Sequence, residues 1–221
     1  MDIDVRDAVP GDINDVAEFA TETWDGWDYI PDVWEDWLEE DGSVTLVAES
    51  KNGVVGVVHG TGRDEEAWLE GMRVAEEHRR EGVGSTLTEA ALERLADEGV
   101  SIARCMAFEG NDAAVELLDA LGFERVATVR HGRGFGFPYG SMIEEANYEE
   151  SLRVLRESEA FEEASGLYAT KDWRMWSVPE TVEEYEGDVL GFVEDDDVRA
   201  VALCDGVRIN ETGEEKRTEL V

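Results

Sequence analysis

The fold is decided by the run Val74-Ala75-Glu76-Glu77-His78-Arg79-Arg80-Glu81-Gly82-Val83-Gly84-Ser85-Thr86-Leu87. Its two glycines allow a tight turn and a close approach of the backbone to a ligand. The run lies between a predicted strand, 67–74, and a predicted amphipathic helix, 85–98, whose first N–H groups point outward at its positive end. The loop lacks the Gly-Lys-Ser/Thr of a P-loop and the third glycine of a dinucleotide fingerprint. It predicts an anion site of another type.

Hydrophobic periodicity around this loop predicts alternating strands and helices. Asn52-Gly53 is typical of a tight hairpin turn, Asp12 and Asn111 are predicted helix N-caps, and Gly99 and Gly122 are predicted helix stops. The predicted strands are 3–9, 44–49, 54–58, 67–74, 101–108 and 123–129, and the predicted helices run from 12 to about 22, from 85 to 98 and from 111 to 122. The order β-α-β-β-β-α-β-α-β indicates an α/β domain, with a central mixed twisted sheet flanked by helices.

Two motifs of residues 3–130 resemble one family at the separation that family has. The run Arg79-x-x-Gly82-x-Gly84 resembles the acetyl-CoA pyrophosphate loop of the GNAT N-acetyltransferases, and Asn111-x-x-Ala114 followed by Gly122-Phe123 resembles a second segment of that family. The resemblance implies the GNAT fold, acetyl-CoA as co-substrate, and transfer of an acetyl group to the primary amine of a small molecule, with an amino acid as one candidate. A fainter resemblance of 67–74 and of the tryptophan-rich segment is to the histidine N-acetyltransferase branch.

The resemblance also implies residues that bind the cofactor. Met72, Arg73 and Val74 would bond the pantetheine arm through their backbone, and Asn111 would touch that arm or the thiol end. The N–H groups that would hold the pyrophosphate belong to Arg79, Arg80, Glu81, Gly82, Val83, Gly84 and Ser85. Backbone dipoles bind an anionic coenzyme without any net positive charge, which suits an acidic chain.

The chemistry needs a base, because only a neutral amine attacks a thioester. Glu70 is the candidate catalytic residue; by strand alternation it would share a face with Trp68 and Met72. The alternative is that Glu70 only binds substrate. Leu118 stands where the family commonly has a tyrosine that protonates the leaving thiolate. Tyr139, Tyr168 or water is left as the proton donor.

The acceptor site is predicted from aromatic and basic residues. Trp27 and Trp34 fall where the family places a wall of the acceptor pocket, although ordinary helix core explains them too. The 19 residues from 125 to 143 contain no Asp or Glu, so Arg130 and Arg133 are candidates to bind an acceptor carboxylate with paired hydrogen bonds. A buried edge, a subunit contact or the phosphates of the coenzyme would also account for this gap in the acids.

Charge and cysteine content exclude several classes of protein. With 19 Lys+Arg and 55 Asp+Glu, the formal charge is −36, which argues against nucleic acid and against anionic membrane as partners. No apolar run reaches the roughly 18–20 residues of a spanning helix, and residues 1–9 do not resemble a signal peptide. Two cysteines make no disulfide framework. We therefore expect a cytoplasmic protein; no metal site is predicted, and a homodimer is left open.

The low lysine content of this acidic chain predicts a cell with a high internal salt concentration. Only three basic residues are lysines, namely Lys51, Lys171 and Lys216. Carboxylates without lysine repel one another in dilute buffer, and molar salt screens that repulsion. The composition resembles the cytosolic proteins of extreme halophiles; an ordinary acidic protein with a basic partner is the alternative.

The predicted organisation is an acetyltransferase domain at 1–143, a helical connector at 144–166 and a small β-rich domain at 167–221. The segments ending at Val74 and at Val221 both read as a hairpin followed by a third strand, so the second is either half a copy of the first domain or an unrelated meander. A non-catalytic module that senses an acyl-CoA or an amino acid is the alternative function.

Overall fold

The computed structural model describes residues 3–21, 26, 28–129, 143–145, 147–170, 173–179, 188–194, 197–209 and 216–220. The chain divides into two compact units, residues 1–124 and residues 125–221. The predicted boundary at 143 stays a prediction, because 130–142 lie outside the described residues.

The first unit contains a five-stranded mixed sheet in the order β1-β2-β3-β4-β5. Its elements are β1 (Asp4–Asp7), α1 (Ile13–Ala20), α2 (Ile30–Glu39), β2 (Ser43–Ser50), β3 (Gly53–Arg63), β4 (Glu66–Val74), α3 (Val83–Asp97), β5 (Ile102–Cys105) and α4 (Asp112–Ala120). The first four strands pair antiparallel, and β4 pairs parallel with β5. The predicted mixed sheet flanked by helices is confirmed.

The core of this unit is apolar and continuous across the sheet. Val47 and Val57 in the central strands, and Leu87 and Leu95 on α3, are almost fully buried. The predicted hairpin at Asn52-Gly53 is confirmed, and Gly99 and Gly122 end α3 and α4 with positive φ. The helical spacing read from the sequence therefore placed α3 correctly, although it begins at Val83 rather than Ser85.

Two local predictions within residues 3–129 are wrong. The segment 123–129 forms no strand; its alternating side chains favour one, but no described strand pairs with it, and Val126 and Val129 are exposed. Asp12 does not cap α1 with its side chain. Its carboxylate instead accepts two hydrogen bonds from Arg6, at 2.7 and 2.9 Å, which lower the pKa of Asp12. The carboxylate of Asp12 therefore binds the Arg6 guanidinium instead of capping α1.

The second unit contains a four-stranded sheet, a two-stranded hairpin and two helices. Its elements are β6 (Ile143–Glu145), α5 (Tyr148–Arg156), α6 (Glu159–Glu163), β7 (Leu167–Ala169), β8 (Met175–Ser177), β9 (Asp188–Glu194), β10 (Asp197–Ile209) and β11 (Lys216–Leu220). The order of the larger sheet is β11-β10-β9-β6. Helices α5 and α6 lie within the predicted helical connector, but Glu144 and Glu145 at its start belong to β6 and not to a helix. The strand-rich pattern predicted after 166 is confirmed, and β7 and β8 pair antiparallel.

The two sheets share topology, and their first hairpins share register. In each, a strand pairs antiparallel with the first strand of a three-stranded meander: β1 with β2, and β6 with β9. In the β2–β3 and β9–β10 hairpins the innermost paired residues are three apart in sequence, and each hairpin skips one residue after the second pair, at Val55 and at Arg199. These positions are 144 residues apart. The shared bulge favours the half-copy interpretation of the sequence echo over an unrelated meander.

Candidate active site

The site is built where β4 and β5 stop pairing. Cα partners run from Glu66 with Ile102 to Leu69 with Cys105, and the pairing ends there. On the other edge, β3 still pairs with Arg73 and Val74. No described strand covers the β5-side edge from Glu70 to Val74. This edge offers backbone N–H and C=O groups to an extended ligand, as an added strand would.

A bulge at Gly71 shapes this edge. The β3–β4 register advances two residues on β3 and three on β4 between the pairs Val57–Arg73 and His59–Glu70. Gly71 has φ +66°, which favours glycine, and a Cβ there would lie 2.3 Å from Cη2 of Trp37. Glycine is therefore required both by conformation and by space.

Because of the bulge, the prediction that Glu70 and Met72 share a face of the sheet is wrong. Glu70 is the cross-strand partner of His59, whose ring stacks on Trp37 of α2, so Glu70 faces the α2 side of the sheet. Met72 faces the opposite side, where its sulfur would lie 3.9 Å from a Cβ built on Gly84 of α3. Glu70 and Met72 do not share a face, because the extra residue of a bulge reverses strand alternation.

The predicted anion loop has the backbone of an anion site. Arg80 has φ +63° and Gly82 φ +88°, so two left-handed residues curve the chain immediately before α3. The N–H groups of Val83, Gly84 and Ser85 belong to the first turn of α3 and have no intrahelical acceptor. Successive N–H groups beside left-handed residues form a concave site for anions. The 15-residue α3 adds its positive end.

Some of the predicted contacts are already used within the protein. The Arg79 N–H donates to the Glu76 carbonyl at 3.2 Å, and the Arg79 Nε donates to the Val74 carbonyl at 3.0 Å. Arg79 therefore ties the loop to the end of β4. The Asn111 Oδ1 accepts from the Ala114 N–H at 3.2 Å, so the predicted cap is confirmed.

A cluster that sequence reasoning missed lies on the α2 side of β4. The Arg73 Nε donates to Asp28 Oδ2 at 2.8 Å, and the Asp28 carboxylate is fully buried. The Arg73 guanidinium lies 5.7 Å from the ring centre of Tyr29. Burial, together with the charge of Glu70, raises the pKa of Tyr29 to about 12. A backbone hydrogen bond with Gly71 acts in the opposite direction and lowers this pKa. Tyr29 therefore keeps its proton beside Glu70.

The aromatic wall is only partly described. Trp34 and Trp37 are buried in the core of the first unit, as the helix-core interpretation expects. Trp34 is 2% exposed, and its indole N–H has no hydrogen-bond partner among the described residues. Trp27, Arg130 and Arg133 lie outside the described residues.

A model of the acetyltransferase (GNAT) family matches residues 13–123, which are 111 of the 221 residues and so just over half of the chain. The chain belongs to the acetyltransferase (GNAT) family. Acetyl-CoA is the co-substrate of GNAT acetyltransferases, and residues 13–123 are an N-acetyltransferase domain. The open edge of β4 and the loop before α3 are the parts of this GNAT domain that fit an extended, anionic coenzyme.

Individual relatives agree with this assignment. A mycothiol acetyltransferase of Kytococcus sedentarius is 36% identical over 103 residues, or 44% of this chain and 34% of the relative. The chain thus spans about a third of the length of the curated relative it matches. The solved structures that it resembles include AAC(6')-Iy with a bisubstrate analogue, CoA-S-monomethyl-acetylneamine (TM-score 0.53), and a transcriptional regulator from Bacillus halodurans C-125 (TM-score 0.52). Each is 20% identical and covers 62% of this chain and 100% of its own. At that identity the likeness shows the fold alone.

The structure places Leu118 and the predicted Tyr168 away from the role of proton donor. Leu118 is half-buried on α4 and has no proton to give. Tyr139 lies outside the described residues, and Tyr168 is buried in the β7–β8 hairpin of the second unit. Tyr29 is the tyrosine that the structure brings to Glu70, and nothing in the sequence pattern marked it.

Neither a metal cluster nor a membrane-spanning helix is found in the described part of the chain. No group of three or more His, Cys, Asp or Glu side chains there is arranged to hold a metal ion. Among the same residues, no helix has the length and apolar character needed to cross a membrane.

Proposed function

We propose that this protein transfers the acetyl group of acetyl-CoA to the primary amine of a small molecule. The observation that carries the proposal is one continuous surface: the open edge of β4 from Glu70 to Val74 leads directly to the concave N–H loop before α3. An extended, polar arm that ends in a pyrophosphate matches both parts. To this proposed cofactor site we assign Met72, Arg73 and Val74, Arg80 to Ser85, and Asn111.

The proposed chemistry uses Glu70, which lies next to the Gly71 bulge. Glu70 accepts a proton from the ammonium group, and the neutral amine attacks the thioester carbonyl carbon. A C–N bond forms, the C–S bond breaks, and the thiolate leaves with the electron pair and takes a proton from Tyr29 or water. The attacking nitrogen gives up its second proton to the Tyr29 phenolate or to water, which leaves a neutral amide and the free thiol of CoA. Backbone N–H groups of the open β4 edge are placed to stabilise the oxyanion that develops on the carbonyl oxygen.

For the acceptor we propose a small amine that carries a carboxylate. Its support is the acid-free stretch 125–143 with Arg130 and Arg133. Trp27 and Trp34 are proposed from the sequence alone as a wall of the acceptor pocket. The faint resemblance to the histidine N-acetyltransferase branch points to an amino acid. The solved structure of AAC(6')-Iy, an aminoglycoside N-acetyltransferase, adds another amine to test, an aminoglycoside.

A thiol-release assay tests the proposal. Acetyl-CoA is offered with amino acids, their decarboxylated amines and an aminoglycoside, in molar KCl. Turnover with at least one amine is expected, with higher kcat/KM for an amino acid than for its decarboxylated amine. Arg130→Ala or Arg133→Ala should lower kcat/KM for the amino acid alone. Equal kcat/KM for both acceptors in the unmodified protein would remove the carboxylate from the proposal.

The rival is a binding module on the same fold, favoured by Leu118 in place of a tyrosine. Calorimetry separates the two: acetyl-CoA binding without turnover of any amine in the panel would make the protein a sensor. We further propose that the protein works in the cytoplasm of a salt-accumulating cell, on the support of its −36 charge and three lysines. The three-part division at 143 and 166 is part of this proposal.

A further inference from the structure

A buried polar cluster lies beneath the bulge of β4. His59 is 0% exposed. Its Nδ1 lies 2.9 Å from the Thr45 hydroxyl, and its Nε2 lies 2.9 Å from the Thr61 hydroxyl and 3.3 Å from Glu40 Oε2. Because the Thr61 hydroxyl donates to Glu40, it accepts from a proton on His59 Nε2. Both ring nitrogens have partners, so the imidazole has one fixed orientation.

The flat face of this ring sets the position of Trp37. The His59 and Trp37 rings stack with centroids 4.3 Å apart and planes 2° from parallel. Two other neighbours of Trp37 belong to the candidate active site: Tyr29 meets its ring edge-on at 6.0 Å, and Gly71 approaches so closely that a Cβ would clash with it. Trp37 is therefore held between the imidazole and the bulge.

His59 is also the cross-strand partner of Glu70. The same ring thus adjoins the proposed base along the sheet and reaches the bulge through the indole. An aliphatic side chain would fill the space without fixing a plane, whereas the imidazole fixes the plane against which Trp37 lies.

We propose that His59 is a positioning residue for acetyl transfer: through Trp37 it holds the Gly71 bulge, and with it Glu70, in the geometry the reaction needs. The inference rests on the proposed function. His59 touches neither substrate nor cofactor, so its removal should act on turnover and leave the cofactor loop unchanged.

Two substitutions separate the ring from its nitrogens. His59→Phe keeps a flat ring under Trp37 but removes the imidazole nitrogen that contacts Thr61 and Glu40. His59→Gln keeps hydrogen-bonding groups but removes the ring. We expect stability to fall when the ring nitrogens are lost, and turnover to fall when the flat ring is lost. Per folded molecule, kcat should fall roughly tenfold or more in His59→Gln and His59→Ala, since small misplacements are costly, and should be largely restored in His59→Phe. The KM for acetyl-CoA should change less than about twofold.

A destabilised control isolates the effect. Leu95→Ala removes a buried side chain of α3, which packs against Gly60 on the other side of the sheet from Trp37. It should lower the melting temperature while kcat per folded molecule stays unchanged. If folded His59→Ala also keeps the original kcat, the proposal is wrong. It is equally wrong if His59→Phe loses as much turnover as His59→Ala.

A readout without turnover separates this inference from the proposed function. With 5-fluorotryptophan labelling, the Trp37 ¹⁹F resonance is identified by its loss in Trp37→Phe. It should shift in His59→Ala, shift less in His59→Phe, and shift when acetyl-CoA is added to the unmodified protein. If no amine is acetylated, the proposed function fails, yet these shifts still decide whether His59 sets Trp37. A Trp37 resonance unmoved by His59→Ala overturns the inference.

Discussion

Arg73 on β4 and Asp28, just before α2, form an ion pair at 2.8 Å in which the carboxylate is wholly buried. The Asp28 Oδ1 also accepts from the Ile30 N–H at 3.0 Å. One carboxylate therefore links the strand that offers its edge to the coenzyme with the helix that carries Trp34 and Trp37. The cofactor side and the proposed acceptor side of the site are held at a fixed distance by this pair.

Breaking this pair should be costly. Arg73→Ala leaves the Asp28 charge buried without its partner, which typically costs about 3–5 kcal/mol. Arg94→Ala is the matched control, because Arg94 pairs with Asp7 on the surface and such pairs contribute about 0–1 kcal/mol. Urea unfolding monitored by circular dichroism measures both. Equal losses in the two variants would contradict a structural role for the buried pair.

The cofactor loop can be tested with two matched glycines. Gly82 and Gly99 lie at opposite ends of α3, both have positive φ (+88° and +100°), and a Cβ at either meets open space. Gly82→Asp and Gly99→Asp should therefore lose similar stability to backbone strain. Only Gly82→Asp places a carboxylate at the proposed pyrophosphate site, so calorimetry should show acetyl-CoA binding abolished there and retained in Gly99→Asp. Gly84→Asp should also abolish binding.

If Glu70 is the base, Glu70→Gln should lower kcat by roughly a hundredfold or more near pH 7. Cofactor affinity should change little, and the loss should shrink at high pH, where the amine is already neutral. Glu65→Gln removes the same charge from the exposed turn before β4 and should leave kcat unchanged. Undiminished turnover of Glu70→Gln at pH 7 would clear Glu70 of this role.

Cys105 marks the point where β4 and β5 part. Burial raises the pKa of its thiol from 9.0 to about 11. Two pKa units leave about a hundredfold less thiolate at pH 8, so in a Cys204→Ser background iodoacetamide should react about a hundredfold more slowly with the folded protein than in urea. The stabilisation this neutral thiol contributes is complete below pH 9 and lost as pH rises towards 11. Equal rates with and without urea would contradict this burial.

The net charge predicts that removing salt destabilises the fold. The Debye length is about 10 Å at 0.1 M salt and about 3 Å at 1 M, so molar KCl screens the repulsion among the acidic side chains. The melting temperature by circular dichroism should be clearly higher in 3 M than in 0.1 M KCl. Equal melting temperatures would rule out adaptation to salt.

Local sequence determined much of the fold. Asn52-Gly53 set a hairpin, Leu87 and Leu95 set a helical face, and Gly82-x-Gly84 set the cofactor loop, because turn geometry and helical spacing depend on neighbours along the chain. Periodicity failed at 123–129, since a strand exists only when another strand pairs with it.

Tertiary structure alone decided the arrangement around Glu70. The register between β3 and β4 creates the Gly71 bulge, and that extra residue turns Met72 to the other side of the sheet from Glu70. Glu70 is surrounded by residues from other parts of the chain, namely Asp28, Tyr29, Trp37 and His59. No hydrophobic or alternating pattern along the sequence predicts that these residues meet Glu70. The sequence by itself determined the family and the loop proposed to bind the cofactor, because those depend on contiguous residues. The surroundings of the proposed base depend on packing between a helix and a sheet, which only the folded chain decides.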